Sequence, residues 1–440
     1  MNFDDFKISN TDLAMTVSIV CEDFLGHKTS VETNASLEEL NELLRTLGIG
    51  VVGTSVQNRK HIDAASIIGS GKMKEIAEEA KALGAKTLVM DFELSASQMR
   101  NIKDATGMTV IDRNTIILEI FAKHAHTKEA KVQIEISRLQ YLLPRLSSLW
   151  THFHRQKGGQ GVMGGEGEQQ IELDRRMIRD RIQFYKKQLE QVVISRQEQK
   201  KRRQGKTVVA ALVGYTNVGK SSLMNRMCME NVLEENKLFA TLDATYRTLN
   251  PDTKPPLILI DTVGFISNLP TSLITGFKTT LESAMEADLL LIVSDISDPN
   301  NQAHLNVTLE TLKELGLDEK EKFFIFNKKD LIQNDLLAKI TLKKYPNSFL
   351  VSSHDKEDMI NLKKTILNYF LNFQPCYDLF VPYEQGDAHS KVMGQTNIIK
   401  NVDHDMGIFY RIRIPENIFN TLGLQKYILG PQDPRTQFLD

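Results

Sequence analysis

Cysteine is scarce in this 440-residue chain: Cys21, Cys228 and Cys376 stand alone, and no two of them form a C-x-x-C pair. Neither a disulfide framework nor a cysteine zinc site follows, and a reducing compartment is the expectation. Long apolar runs are missing too. No uncharged stretch approaches the ~20 residues that span a bilayer. The acidic start Met1-Asn2-Phe3-Asp4-Asp5 has no apolar segment of the signal-peptide kind. An excess of one charge is also absent, with 54 Lys and Arg against 56 Asp and Glu, net −2. At 41% hydrophobic and 25% charged residues, the composition is that of an ordinary soluble globular protein. The expected location is the cytoplasm, with association at the membrane periphery left open.

What is present divides into four segments, where length alone suggests about three domains. Residues 1–122 alternate helix and strand. Leu37–Leu47 has helical apolar spacing, Gly48–Gly53 reads as a strand, Lys72–Leu83 as an amphipathic helix and Thr87–Phe92 as a strand. Such alternation predicts a small parallel sheet flanked by helices. Gly69-Ser70-Gly71-Lys72 lacks P-loop spacing and reads as a tight turn feeding a helix. Residues 123–204 carry two apolar seams at spacings of three and four. One is Val132, Ile136, Leu139, Leu143, Leu146 and Trp150; the other is Ile171, Ile178, Ile182, Tyr185, Leu189 and Val192. Between them Lys157–Gly167 holds six glycines, a stretch expected to exclude helix, so a long antiparallel helical hairpin with a mobile tip is predicted. From Gln170 to Gln204, eleven Lys and Arg oppose five Asp and Glu. This basic arm suits an RNA-lined crevice, or else a solvated coiled-coil face that spaces domains. Residues 374–440 read as a small, mostly β appendage with room for one helix and no visible chemistry.

Residues 205–373 carry the chemistry. Gly214-Tyr215-Thr216-Asn217-Val218-Gly219-Lys220-Ser221 fits G-x-x-x-x-G-K-[ST], follows the apolar run Val208–Val213 and opens a helical stretch. That is the setting of a phosphate-binding loop, whose N–H groups and helix N-terminus face negative charge. Lys220 is the candidate for the β- and γ-phosphates and Ser221 for Mg²⁺. The strand Leu257–Ile260 ends in Asp261-Thr262-Val263-Gly264, where Asp261 suits the Mg²⁺ shell and the Gly264 N–H the γ-phosphate. Between these motifs lies Phe239-Ala240-Thr241-Leu242-Asp243-Ala244-Thr245, with Thr241 the leading second Mg²⁺ ligand and Thr245 the reserve. The strand Phe323–Phe326 delivers Asn327-Lys328-Lys329-Asp330. A carboxylate there accepts from guanine N1–H and the 2-amino group, which adenine lacks, and the Lys328 stem lies along the base. Phe349-Leu350-Val351 leads into Ser352-Ser353-His354, whose N–H groups suit guanine O6. GTP is therefore the expected ligand. Phe265 stands where a water-orienting glutamine is found in Ras-type proteins, so slow intrinsic hydrolysis is expected. Asn217 is a candidate for holding a monovalent cation such as K⁺, and Arg247 is a second candidate to assist the reaction.

The chain resembles the HflX family of translation-factor-related P-loop GTPases over about residues 30–440. The resemblance rests on Ile68–Lys72, Ile111-Asp112-Arg113, Ile117–Phe121, Glu129–Gln133, Leu143-Pro144-Arg145-Leu146, the Gly-rich tip running into Glu172–Arg176, Gly214–Asn217 and Asp261–Phe265. It implies a P-loop GTPase domain with a mostly parallel sheet, an N-terminal α/β domain, the helical hairpin and a small C-terminal α+β domain. It also implies GTP hydrolysis with Mg²⁺, coupled to binding the large (50S) ribosomal subunit and its rRNA. Separation of stalled or idle 70S ribosomes under stress and approach of the glycine tip to the peptidyl-transferase region follow from it. So does Thr241 in preference to Thr245, and a monomer is expected. Two departures stand out: Met163 and Gly165 replace the tip's usual arginine and proline, and Ser353 replaces the usual alanine. The competing reading is a slow-turnover GTP-sensing scaffold for a protein or membrane-associated complex.

Overall fold

The computed structural model describes residues 13–23, 28–146, 164–203, 207–228, 245–267, 284–332 and 335–430. The chain forms two compact units. One comprises Met1–Ile194, Glu235–Asp243 and Phe265–Thr279; the other comprises Ser195–Glu234, Ala244–Gly264 and Thr280–Asp440.

The first unit holds the expected parallel sheet. Its strands are β1 (Leu13–Val20), β2 (Gly50–Asn58), β3 (Thr87–Met90) and β4 (Thr109–Asp112), in the order β2-β1-β3-β4, and each neighbouring pair is parallel. Helices α1 (Ser30–Leu47), α2 (Ser70–Ala82), α3 (Ala96–Thr106) and α4 (Arg113–His124) connect and follow them. Local chemistry sets several ends. Thr29 and Glu32 form a capping box at the start of α1, and Ser95 and Gln98 do so for α3. The sequence placed a strand from Gly48, but Gly48 takes φ 84° as the left-handed C-cap of α1, so β2 begins at Gly50. Met15, Val17, Ile19, Ile76, Leu88, Met90 and Ile102 belong to one core.

Helix α5 (Lys128–Leu142) gives way to a 3₁₀ turn over Leu143–Arg145, earlier than the seam to Trp150 predicted. Pro144 supplies the reason, since it lacks the N–H that a helix interior needs. Helix α6 runs from Gly164 to Arg203, so Gly164, Gly165 and Gly167 lie in helix, against expectation. Each glycine costs a helix about 1 kcal/mol, which a 40-residue element carries at its end. The rest of the glycine tip and Trp150 lie outside the described residues. The two seams meet where Leu139, Leu146, Ile178 and Ile182 cluster with Leu143 and Tyr185.

The second unit contains a six-stranded sheet of β5 (Val208–Gly214), β6 (Thr245–Asn250), β7 (Leu257–Asp261), β8 (Leu289–Asp295), β9 (Lys322–Asn327) and β10 (Ser348–Leu350). Its order is β10-β9-β8-β5-β7-β6, and only the edge strand β6 runs antiparallel. The burial pattern of β8 is continuous, as expected of a strand covered on both faces. Helices α7 (Lys220–Cys228), α8 (Asn301–Glu314), α9 (Asp335–Lys344) and α10 (Lys356–Phe373) accompany it. The same unit includes an antiparallel sheet of β11 (Cys376–Pro382), β12 (Asn397–His404) and β13 (Gly407–Arg413), in the order β11-β13-β12. Two helices, α11 (Gly386–Gln395) and α12 (Glu416–Leu422), complete it where the sequence suggested one. Asn397 receives the Lys254 N–H on Oδ1 at 2.7 Å and donates from Nδ2 to the Lys254 carbonyl, clasping the β6–β7 turn.

One polar cluster lies inside the first unit. Arg113, 1% exposed, donates from Nη1 to Asp91 Oδ1 at 2.8 Å and to the Ser36 carbonyl and hydroxyl at 3.2 Å, and pairs with Glu39. Removing one partner of a buried pair strands the other charge. Arg113→Ala is expected to cost about 3–5 kcal/mol of stability, read as a lowered midpoint in urea unfolding followed by circular dichroism. A midpoint like that of the unsubstituted chain would show the pair to be dispensable.

Candidate nucleotide site

Strands β5, β7, β8, β9 and β10 all end at one edge of the six-stranded sheet, and the sequence motifs sit on the loops that leave them. An open parallel sheet concentrates ligand-facing loops at that edge. Gly214 closes β5, and Lys220 begins α7 six residues later. Asn217, exposed, takes φ 60°, and Gly219 takes φ 92°. A side chain on Gly219 would collide with the Asn327 amide, so conformation and close approach both require glycine there.

Asn327, at the end of β9, is fully buried. Its Nδ2 donates to the Val218 carbonyl at 2.9 Å, and its Oδ1 accepts from the Ser353 N–H at 3.0 Å. One side-chain amide therefore fastens the Gly214–Ser221 loop to the loop after β10. Asp330, at the other end of this motif, is exposed and accepts from the Ser352 hydroxyl at 2.6 Å. That hydrogen bond, with smaller help from His354 and Lys328, holds the Asp330 carboxyl below the usual carboxylate range. Lys328 sits at φ 63° and pairs with Asp295 at 2.7 Å. Lys329 pairs with Asp358 at 2.6 Å and Asp355 at 3.4 Å, chiefly the former raising its pKa.

The Lys220 ammonium is buried and donates to the Gly214 and Tyr215 carbonyls at 3.1 and 2.7 Å. Burial lowers its pKa to about 8, against the opposing pull of Asp261. Ser221 Oγ donates to Asp261 Oδ2 at 2.6 Å. A hydroxyl and a carboxylate oxygen at this spacing form a hard donor pair that suits Mg²⁺, which takes few protein ligands and completes its shell with water and phosphate. Among the described residues no group of three or more His, Cys, Asp or Glu is arranged to hold a metal. A Cβ on Gly264 would stand 2.8 Å from Thr216 Cα and 3.0 Å from Lys220 Nζ, so this peptide lies directly against the lysine. Thr245, which opens β6, is the register partner of Asp261, and Arg247 lies two residues along that strand, opposite Leu259.

Several residues are placed differently from the sequence picture. The Thr262 hydroxyl donates into the sheet, to the Leu212 carbonyl at 2.7 Å. The three N–H groups expected at guanine O6 have partners within the chain: Ser352 donates to Asp358 at 2.7 Å, Ser353 to Asn327, and His354 to the Ser352 hydroxyl at 3.2 Å. Val263 and Phe265 are buried, Phe265 at 2% exposure. Phe239, Ala240, Thr241, Leu242 and Asp243 lie outside the described residues. Asp295, Asp298, His304 and Asp358 went unnoticed in the sequence. The signal for the first was the acidic end of an apolar run, Leu289–Asp295.

Three family models match successive stretches of the chain. A GTP-binding GTPase N-terminal model matches residues 34–122, a GTP-binding GTPase middle-region model 124–203, and a 50S ribosome-binding GTPase model 209–328. The chain is 38% identical over 408 residues to GTPase HflX of Gluconacetobacter diazotrophicus, covering 84% of this chain and 89% of that protein. It is 37% identical over 392 residues to GTPase HflX of Alkalihalophilus pseudofirmus, covering 89% and 91%. A solved GTP-binding protein of Sulfolobus solfataricus in complex with GDP is 25% identical, covering 80% of this chain and 99% of that one, with a TM-score of 0.42.

The buried lysine has a consequence for stability. With a folded pKa of about 8 against the ordinary 10.5, the unfolded chain binds more protons between those values. The destabilisation is thus complete below pH 8 and fades as pH rises through the window. Lys220→Met is expected to raise the melting temperature of the nucleotide-free chain at pH 7, with a smaller gain at pH 9.5. Scanning calorimetry at the two pH values checks this, and a gain independent of pH would contradict it.

Proposed function

This chain is a member of the HflX family of GTPases, and we propose that it hydrolyses GTP in the loops at the carboxyl edge of the six-stranded sheet while associating with the large ribosomal subunit. The observation that carries this reading is the Asn327 amide, which joins the phosphate-type loop at Val218 to the base-type loop at Ser353. Two motifs of separate chemistry are thereby held as one site.

In this reading Gly214, Tyr215, Thr216, Asn217, Val218, Gly219, Lys220 and Ser221 wrap the phosphates. Lys220 exchanges the Gly214 and Tyr215 carbonyls for phosphate oxygens, and its low resting pKa is restored by the negative charge it meets. Ser221 and Asp261 would hold Mg²⁺, Thr241 is assigned as its further protein ligand, and Gly264 would offer its N–H to the terminal phosphate. Magnesium, when bound, neutralises and orients the phosphates. Asp330, kept ionised by Ser352, accepts from the guanine edge. Lys328 lays its stem along the base with Asp295 fixing its amine. The His354 N–H must release the Ser352 hydroxyl before it can reach the base, while the Ser353 N–H stays on Asn327. Asn217 is assigned to a monovalent cation such as K⁺. Phe265 cannot orient water, so turnover is slow until a partner completes the site. The 50S ribosome-binding GTPase model over 209–328 and the basic α6 arm support the large subunit and its rRNA as that partner. By family likeness the cycle serves to separate stalled or idle 70S ribosomes under stress, with the chain acting as a monomer. No described helix is long and apolar enough to cross a membrane.

Asp330→Ala is expected to weaken GDP affinity at least about 10²-fold while leaving ATP no tighter, because the site loses the acceptor that reads guanine. Competition titrations with a fluorescent GDP analogue check this, and an unchanged guanine preference would refute the base assignment. Purified large subunits are expected to cosediment with the chain carrying a non-hydrolysable GTP analogue and to raise its GTP turnover, more so in K⁺ than in Na⁺. Turnover indifferent to subunits, with tight binding to another protein complex instead, would favour the scaffold reading.

A further inference from the structure

Tyr215, second residue of the phosphate-type loop, is 4% exposed. Its ring stacks on His304, with centroids 3.9 Å apart and planes 10° from parallel. His304 lies in the first turns of α8 and is itself held. Its Nδ1 sits 2.9 Å from Asp298 Oδ2. Burial works against the Asp298 charge, but the His304 contact, the Asn300 N–H and Lys328 outweigh it and keep the carboxyl below the usual range. An ionised acceptor requires that Nδ1 carry the proton, which fixes the tautomer and the ring plane. The Asn300 N–H donates to the other carboxylate oxygen at 2.8 Å. Asn301 Nδ2 reaches Ser294 Oγ at 2.8 Å and so ties the start of α8 to the end of β8. A rigid path thus runs from the sheet through Asp298 and His304 to the Tyr215 ring. The carbonyl of that same Tyr215 accepts from Lys220 Nζ at 2.7 Å.

We propose that His304, oriented by Asp298, is a positioning residue for the phosphate-type loop: by clamping the Tyr215 ring it sets the peptide that parks Lys220, and so the grip on the β- and γ-phosphates. The inference rests on the reading of Gly214–Ser221 as that loop. His304 touches no phosphate itself and acts through Tyr215. Its effect should therefore scale with the phosphates that Lys220 reaches and leave base recognition at Asp330 alone. A ring stack that served stability alone would make no such distinction between nucleotides.

The test compares His304→Ala and His304→Phe with the unsubstituted chain, by competition of GMP, GDP and a non-hydrolysable GTP analogue against a fluorescent GDP analogue, alongside melting temperatures. His304→Ala is expected to weaken GDP and the GTP analogue about three- to tenfold, the scale of a lost aromatic pair, and to leave GMP unchanged. His304→Phe, which keeps a flat ring against Tyr215 without the Asp298 bond, is expected to recover most of that loss. Unchanged GDP affinity in His304→Ala, an equal loss for GMP and GDP, or no recovery with phenylalanine would each overturn the proposal. If the unsubstituted chain gains no affinity from GMP to GDP, the phosphate-loop reading itself falls.

Discussion

The arrangement of the site depends on one side-chain amide. Asn327 is buried with its donor on Val218 and its acceptor on the Ser353 N–H. A buried amide that loses a partner costs about 1–3 kcal/mol, so neither loop drifts without a penalty felt at the other. The constraint is selective as well as stabilising. It forbids a side chain at Gly219, and it commits the Ser353 N–H to the protein in the absence of nucleotide. Asp330, three residues beyond, stays near the same loop through Ser352. The phosphate-type and base-type loops are thereby linked by a pair of hydrogen bonds.

Several other polar groups at this edge satisfy one another. Lys220 takes two carbonyls of its own loop, and Ser221 takes Asp261. Lys328 and Lys329 find Asp295 and Asp358. The Lys220 and Ser221 pairings shield groups that nucleotide binding must later redirect. The lysine is the costliest member, since its ammonium is desolvated and opposed only in part by Asp261. This is the usual relation between a strained site and the fold that carries it.

Much of this was legible in the sequence because the motifs are local. Gly214–Ser221, Asp261–Gly264 and Asn327–Asp330 each lie within a few residues of a strand end, where apolar runs are easily read. What escaped is non-local or polar. The edge strand β6, Thr-Tyr-Arg-Thr-Leu-Asn, has only Leu249 buried and offers no apolar run to detect. The His304 stack joins residues 89 positions apart and leaves no periodic trace. The pairing of Lys329 with Asp358 crosses from the base motif to α10 in the same way. In the first unit, Pro144 was visible, yet the seam through Leu143 and Leu146 outweighed it. The apolar spacing continued because both residues still reach the cluster with Ile178 and Ile182. There the packing pattern outlasted the helix that was inferred from it.

The hydrolytic step is where the local chemistry runs thin, and the reason is structural. Gly264 lies so close to Thr216 and Lys220 that a side chain there would collide with them, and the next residue, Phe265, is buried. A group turned into the protein and unable to hydrogen-bond does nothing for an attacking water. On the proposed reading, Lys220, Ser221 and the loop N–H groups serve the phosphate oxygens, while Phe265 offers no acceptor to water. On that reading, binding without orientation gives a long-lived nucleotide state, because uniform binding lowers the ground state as much as the barrier top. A GTPase built this way is suited to waiting on a partner, and the large-subunit reading supplies one without asking the chain for a residue it does not have.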